Sequence, residues 1–210
     1  MKHVDDIMNI ERKSKNTIHC LDRQFTGLGS EESSPLGKNS EVFSHLENCV
    51  NNSRGATHKI VFEVGNIIRI RRQEDFKRFN DSVFCKMESG RRLLWHGLRV
   101  TNYAGILSHG LRIAPCESPM SGYMLGKGIY VAEMSSKSAS SCHHTKPGGE
   151  GLLLLCEAEL GTPIQKLAVA NHKAGGGAKE QGMHSTRCLG RVVPSEWVDA
   201  GIVHKDPKGC

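Results

Sequence analysis

The chain has 210 residues, with 28 Lys+Arg against 22 Asp+Glu for a net charge of +6, 38% hydrophobic residues and only 5% aromatic ones. That length fits one domain, or one domain and a fragment, and the apolar share is low for a packed globule yet above that of a disordered chain. No apolar run approaches the ~20 residues that cross a bilayer, and the opening MKHVDDIMNIERKSK is too charged for a signal peptide, which points away from secretion.

In chain order, Val4 to Ser14 carries a short helical stripe at Val4, Ile7, Met8 and Ile10. Gly27, Gly29, Ser30, Ser33, Ser34, Pro35 and Gly37 then mark a loop or linker, which places a boundary at 38/39. From Asn39 or Ser40 as N-cap a helix is predicted with Phe43, Leu46 and Val50 on one face. After Gly55 the period becomes two: Ile60, Phe62 and Val64, then Ile68 and Ile70, predict a strand pair or one bent strand.

Leu93 to Trp95 reads as a short strand leading into His96-Gly97, with Trp95 in the core. Thr101 or Asn102 can cap a helix with Tyr103, Ile106 and Leu107 facing inward and Gly110 at its end. Ile129–Ala132 and Leu152–Leu160 read as strands, and between them Ser135 can cap a helix over SSKSASSC. Short strands interrupted by single helices predict an α+β domain.

Eight cysteines without a C-x-x-C pair read as reduced thiols. Gly122-Tyr-Met-Leu-Gly126-Lys127-Gly128 fails as a phosphate loop. It has three residues between the glycines, lacks Ser or Thr after the lysine, and runs into a strand-like segment. Gly175-Gly176-Gly177 reads as a flexible loop. Cys142-His143-His144 and His184…Cys188 lack the paired spacing of a zinc site, so no metal is expected. Arg69, Arg71 and Arg72 form the densest basic group and read as a solvated strand edge, weak support for DNA binding.

What remains is the stretch from Arg92: LLWHG-x-R-x-x-N, then GILSHGLRIAP, then GYMLGKGIYVA followed by SKSA. Here the chain closely resembles the catalytic domain of the poly(ADP-ribose) polymerases, the diphtheria-toxin-like branch of the ADP-ribosyltransferases. The resemblance begins near Ser40 and covers about three quarters of the chain; residues 1–20 resemble the last helix of the family's regulatory helical region. It implies an α+β ADP-ribosyltransferase fold of two packed, mainly antiparallel sheets with flanking helices. It also implies a division into residues 1–38 (regulatory remnant and linker) and 39–210 (partial catalytic domain), and a nuclear setting in DNA repair.

The implied reaction consumes NAD. Cleaving its nicotinamide bond develops oxocarbenium character on the ribose, so a site must hold a flat cationic ring and read its carboxamide and hydroxyls. By resemblance Gly97 reads the carboxamide, since a residue without a side chain lets a ligand approach the backbone. His96 takes ribose hydroxyls, Tyr130 stacks on nicotinamide, and Ser138 bonds the carboxamide. Asn102 and Arg112 line the adenosine side, Tyr123 the mouth, and Lys127 the acceptor rim. The partners implied are acceptor proteins or ADP-ribose chains.

Three departures accompany the matches. Leu98 stands where the family has a serine that bonds the nicotinamide amide, a loss of about 1–3 kcal/mol. Ser141 replaces the second stacking tyrosine, a contact worth ~0.5–1.5 kcal/mol. The family's glutamate-bearing strand and its neighbours are not found before Cys210, and Glu157 and Glu159 fall on the wrong strand. The C-terminal strands are therefore expected to be missing. Two other readings stay open: an inactive relic that binds NAD or ADP-ribose, and a basic interaction module using Arg69, Arg71 and Arg72.

Overall fold

The computed structural model describes residues 19–87, 90–113, 123–143 and 149–204. The helix expected over Val4–Ser14, and His144 of the rejected metal cluster, lie outside them. The fold is α+β, as expected, and its described strands form three two-stranded ladders.

The first ladder pairs β1 (Ser30–Pro35) with β2 (Ile68–Arg72), antiparallel. Helix α1 (Cys20–Gly27) precedes it. The loop expected over Gly27–Gly37 is thus corrected: its serines and glutamates make an edge strand, with Pro35 at the strand end where a missing N–H costs no ladder bond. Only the second half of the expected 60–70 strand forms. Residues 58–67 have no regular structure, because alternation at Ile60, Phe62 and Val64 has no strand to pair with among the described residues.

Helix α2 (Glu41–Asn52) forms where expected. Ser40 caps it by accepting the Phe43 N–H at 3.2 Å, and Phe43, Leu46 and Val50 are its buried face. Helix α3 (Gln73–Asn80) follows β2 directly, without a side-chain cap.

Arg72, expected on a solvated edge, is instead buried at 8% exposure. Its guanidinium pairs with Asp75 of α3 and donates to the Ser108 carbonyl at 2.7 Å, tying β2 and α3 to the fourth helix. Arg71 pairs with Glu31 and lies over Phe76, while Arg69 donates to the Val203 carbonyl.

The second ladder positions the site. Strand β3 (Arg91–Gly97) pairs antiparallel with β4 (Leu153–Glu159), in register from Arg91↔Glu159 to Gly97↔Leu153. Leu94 and Trp95 are buried, each at 4% exposure. The strand expected over Ile129–Ala132 reduces to one bridge, Ala132 with Trp95. Helix α4 (Tyr103–His109) starts after a 3-10 turn, with Asn102 at the cap position but no side-chain cap bond, and ends at Gly110 as expected.

Helix α5 (Ser135–Ala139) is a single turn lying against β3. Ser135 does not cap it: its hydroxyl, fully buried, donates to the Val50 carbonyl at 2.8 Å.

The third ladder is parallel, β5 (Gln165–Leu167) with β6 (Thr186–Cys188). Between them the Gly175-Gly176-Gly177 stretch is not a loop but the middle of helix α6 (Ala174–Glu180), with Ala174 and Ala178 buried. A last turn, α7 (Gly201–His204), closes the described chain.

Candidate active site

The end of β3, the turn of α5 and the loop before Tyr130 meet at one place. His96 is half-buried, and its Nδ1 lies 2.6 Å from the Tyr130 carbonyl. A carbonyl only accepts, so Nδ1 carries the proton and donates, and in the neutral ring Nε2 is then a lone-pair acceptor. One main-chain contact therefore fixes both the ring plane and the tautomer.

Gly97 is enforced by packing. A Cβ at this position would sit 1.8 Å from the Ser138 carbonyl oxygen and 2.5 Å from its carbon. The main chain of α5 thus occupies the space of a side chain, a reason for glycine independent of ligand approach. Ser138 itself is buried at 6% exposure, and its hydroxyl donates to the Trp95 carbonyl at 2.8 Å. With its proton spent there, the hydroxyl keeps lone pairs for a donor arriving from Gly97's side.

The three serines of α5 do separate jobs. Ser135 reaches the end of α2, and Ser138 reaches β3. Ser136, fully buried, accepts the Gly55 N–H at 2.8 Å and contacts His58 Nδ1 at 3.1 Å. A turn of five serine-rich residues has little helix propensity of its own. These tertiary hydrogen bonds hold it.

Tyr130 is 38% exposed, with its hydroxyl fixed in the preceding loop. That hydroxyl donates to the Gly126 carbonyl at 2.7 Å and accepts the Leu125 N–H at 3.0 Å. The Tyr123 ring lies 5.9 Å from the Tyr130 ring, tilted by 31°. The Tyr123 hydroxyl is shielded from solvent and makes no hydrogen bond among the described residues. Lys127, between the two tyrosines, is exposed.

His96, Gly97, Ser138, Tyr130 and Tyr123 are thus linked through contacts or a shared loop. Asn102 and Arg112 are exposed at opposite ends of α4, and no described contact joins them to His96 or Tyr130. Leu98 is half-buried next to Gly97, and Ser141, beyond α5, is exposed.

Beneath the site, burial raises the Cys142 thiol above its ordinary value, opposed by the Leu98 N–H that donates to it. Burial likewise pushes Cys156 up to about 11, and raises the Tyr103 hydroxyl, helped by the negative potential of Cys142 and Cys156. The five cysteines whose side chains are described as thiols (49, 85, 142, 156 and 188) are free. Among the described residues no group of three His, Cys, Asp or Glu side chains is placed to hold a metal.

Two residues absent from the sequence reading support this region. Asn171 N–H donates to the Met124 carbonyl at 2.8 Å, and His172 Nδ1 donates to the Tyr123 carbonyl. The only sequence cue was the neighbouring glycine run, which suggested a loop.

A model of the poly(ADP-ribose) polymerase catalytic domain matches residues 40–208. The chain belongs to this family. Among similar proteins, the poly(ADP-ribose) polymerase of Sarcophaga peregrina is 47% identical over 153 residues, covering 72% of this chain and 15% of that protein. Poly(ADP-ribose) polymerase 2 of Arabidopsis thaliana is 41% identical over 162 residues, covering 77% and 24%. Poly(ADP-ribose) polymerase 2 of Homo sapiens is 40% identical over 187 residues, covering 89% and 30%. The chain therefore spans less than a third of the length of these poly(ADP-ribose) polymerases.

Proposed function

We propose that this chain is the NAD-handling part of an ADP-ribosyltransferase of the poly(ADP-ribose) polymerase type. NAD would be the consumed substrate, and acceptor proteins or ADP-ribose chains the second substrate. The observation that carries the reading is the His96–Tyr130 contact at 2.6 Å beside the Gly97–Ser138 crossing, because it gathers an acceptor nitrogen, an aromatic face and backbone amide groups.

In this reading the nicotinamide ring lies on Tyr130, whose hydroxyl bonds keep the ring from swinging away. The Gly97 backbone reads the carboxamide, with Ser138 accepting from its NH2. His96 Nε2 accepts a ribose hydroxyl proton, which holds the sugar as the bond between the nicotinamide nitrogen and the ribose breaks. The departing nicotinamide takes the bonding electrons, positive charge develops on the ribose, and an acceptor oxygen attacks the carbon left behind, a hydroxyl acceptor giving up its proton to solvent. Tyr123 would stand at the mouth, Lys127 on the acceptor side, and Asn102 and Arg112 toward adenosine. Residues 39–210 would belong to the catalytic domain and residues 1–38 to the regulatory helical region, with the Ser30–Pro35 strand joining the two by its pairing with Ile68–Arg72, and the setting would be nuclear and linked to DNA repair.

Leu98 and the exposed Ser141 favour a second reading, a relic that binds NAD or ADP-ribose without transfer. Losing one hydrogen bond and one ring contact weakens NAD binding by roughly tens- to thousands-fold. The third reading, a nucleic-acid module built on Arg69, Arg71 and Arg72, is disfavoured because Arg72 is committed to Asp75 and Ser108.

Incubating the chain and its His96→Ala variant with labelled NAD separates the first two. Label transfer by the parent alone supports the enzyme. No label above the variant, with nicotinamide still bound in calorimetry, supports the relic; absence of both defeats the two together.

A further inference from the structure

The loop from Tyr123 to Lys127 is held from two sides. On one side, the Tyr130 hydroxyl bridges Leu125 and Gly126. On the other lies the stretch entering α6. Asn171 N–H donates to the Met124 carbonyl at 2.8 Å, Gly175 N–H to the Leu125 carbonyl at 3.3 Å, and His172 Nδ1 to the Tyr123 carbonyl. The His172 carbonyl comes so near Gly126 that a Cβ there would lie 2.5 Å from it, and Gly126 has φ +86°. Only glycine meets both demands.

The sequence of α6 is Ala-Gly-Gly-Gly-Ala-Lys-Glu. Gly175 has a packing reason, since its Cβ would lie 3.3 Å from the Lys127 carbonyl. The other two lack one: a Cβ on Gly176 meets nothing within 4 Å, and one on Gly177 meets only Gln165 Nε2 at 3.9 Å. Neither has positive φ. Each glycine tips the local helix–coil balance toward coil by roughly fivefold relative to alanine. A seven-residue helix with two such positions, anchored by buried Ala174 and Ala178, stands near the opening threshold.

We propose that residues 171–180 are a clamp that positions the Tyr123–Tyr130 pair, with Asn171 and His172 as positioning residues and Gly176 and Gly177 keeping the clamp able to open. Opening removes the partners of three main-chain acceptors at once, the Tyr123, Met124 and Leu125 carbonyls, while the Tyr130 hydroxyl bonds remain. The rings then lose their fixed tilt. A ligand that needs the rings in place binds only the closed fraction, so clamp stability sets its apparent affinity. That last step rests on the functional reading above; the mechanical coupling does not.

Native-state hydrogen exchange followed by NMR on the full chain tests it, comparing Gly176→Ala/Gly177→Ala with the parent. Protection of the Asn171 and Leu125 amides, both outside α6, is expected to rise together with that of α6, by roughly tenfold or more. A rise confined to α6 overturns the clamp. His172→Ala is expected to lower Leu125 protection and shift the Tyr130 ring resonances while α6 stays protected; unmoved Tyr130 resonances overturn the positioning role. Nicotinamide titration adds the functional arm, with several-fold tighter binding expected in the double variant. Coupled protection with equal affinity overturns positioning of the ring pair. Coupled protection with no nicotinamide binding in any form defeats the functional reading and leaves the clamp standing.

Discussion

The proton on His96 has its place decided by a main-chain carbonyl. Because Nδ1–H donates to Tyr130 O, a neutral His96 should show a protonated Nδ1 and a bare Nε2 in 15N NMR. A dominant Nε2–H signal would contradict the geometry. The sequence made His96 a candidate through its neighbours but carried no information on tautomer, since the partner lies 34 residues away. Gly97 was legible as a required glycine, but not the cause, because nothing local announces that α5's backbone crosses there. Burial below the site makes a second residue-level prediction. Cys156 is pushed from its ordinary 9.0 to about 11. Between these values the unfolded chain has lost the proton that the folded chain retains, so stability is intact below pH 9 and falls as pH rises toward 11. The full shift corresponds to about 2–3 kcal/mol. Melting temperature measured from pH 8 to 10.5 should decline, and Cys156→Ala should flatten the decline even if it lowers the starting value.

At the scale of elements, α5 is the case where propensity and structure part company. Its turn exists because three serines reach three different neighbours, and Ser136 is the most demanding of them. Ser136→Ala leaves the Gly55 N–H without its buried acceptor, and about 1–3 kcal/mol of stability should be lost in urea unfolding. Exchange of the Gly55 amide should accelerate as well, which a purely volumetric effect would not require. A cost under about 0.5 kcal/mol would show that the bond is replaceable by solvent. The sequence placed this helix but misread Ser135 as its cap, because an N-cap and a buried tertiary donor are the same residue type. Elements with strong local patterns were legible: α2 with its Ser40 cap, and β3 and β4 with their apolar runs. Those made by distant partners were not. Strand β1 is polar and pairs across more than thirty residues, and α6 is glycine-rich against its own propensity. Arg72 shows the same limit, being charged in a charged stretch yet committed to Asp75 and Ser108.

For the whole molecule, the decisive feature is that β4 is paired on one edge only among the described residues. It pairs with β3, and among the described residues no strand pairs with its other edge. Leu153, Leu154 and Leu155 stay half-exposed along it, and Leu152 just ahead is 45% exposed. An apolar strand with open backbone donors and acceptors is a template for another strand. The net charge of +6 is dispersed along the chain and offers little repulsion at this edge. The chain should therefore associate as its concentration rises, with the β4 edge as the contact. Leu152→Lys places a charge beside that edge without entering the β3–β4 ladder, which begins at Leu153. Sedimentation velocity over a concentration series should show weaker association for Leu152→Lys than for the parent. Removing one leucine from a contact and desolvating a lysine instead gives roughly a tenfold or greater weakening. Equal association of the two would move the contact away from β4, and a strictly monomeric parent would mean that the edge is covered within the chain itself.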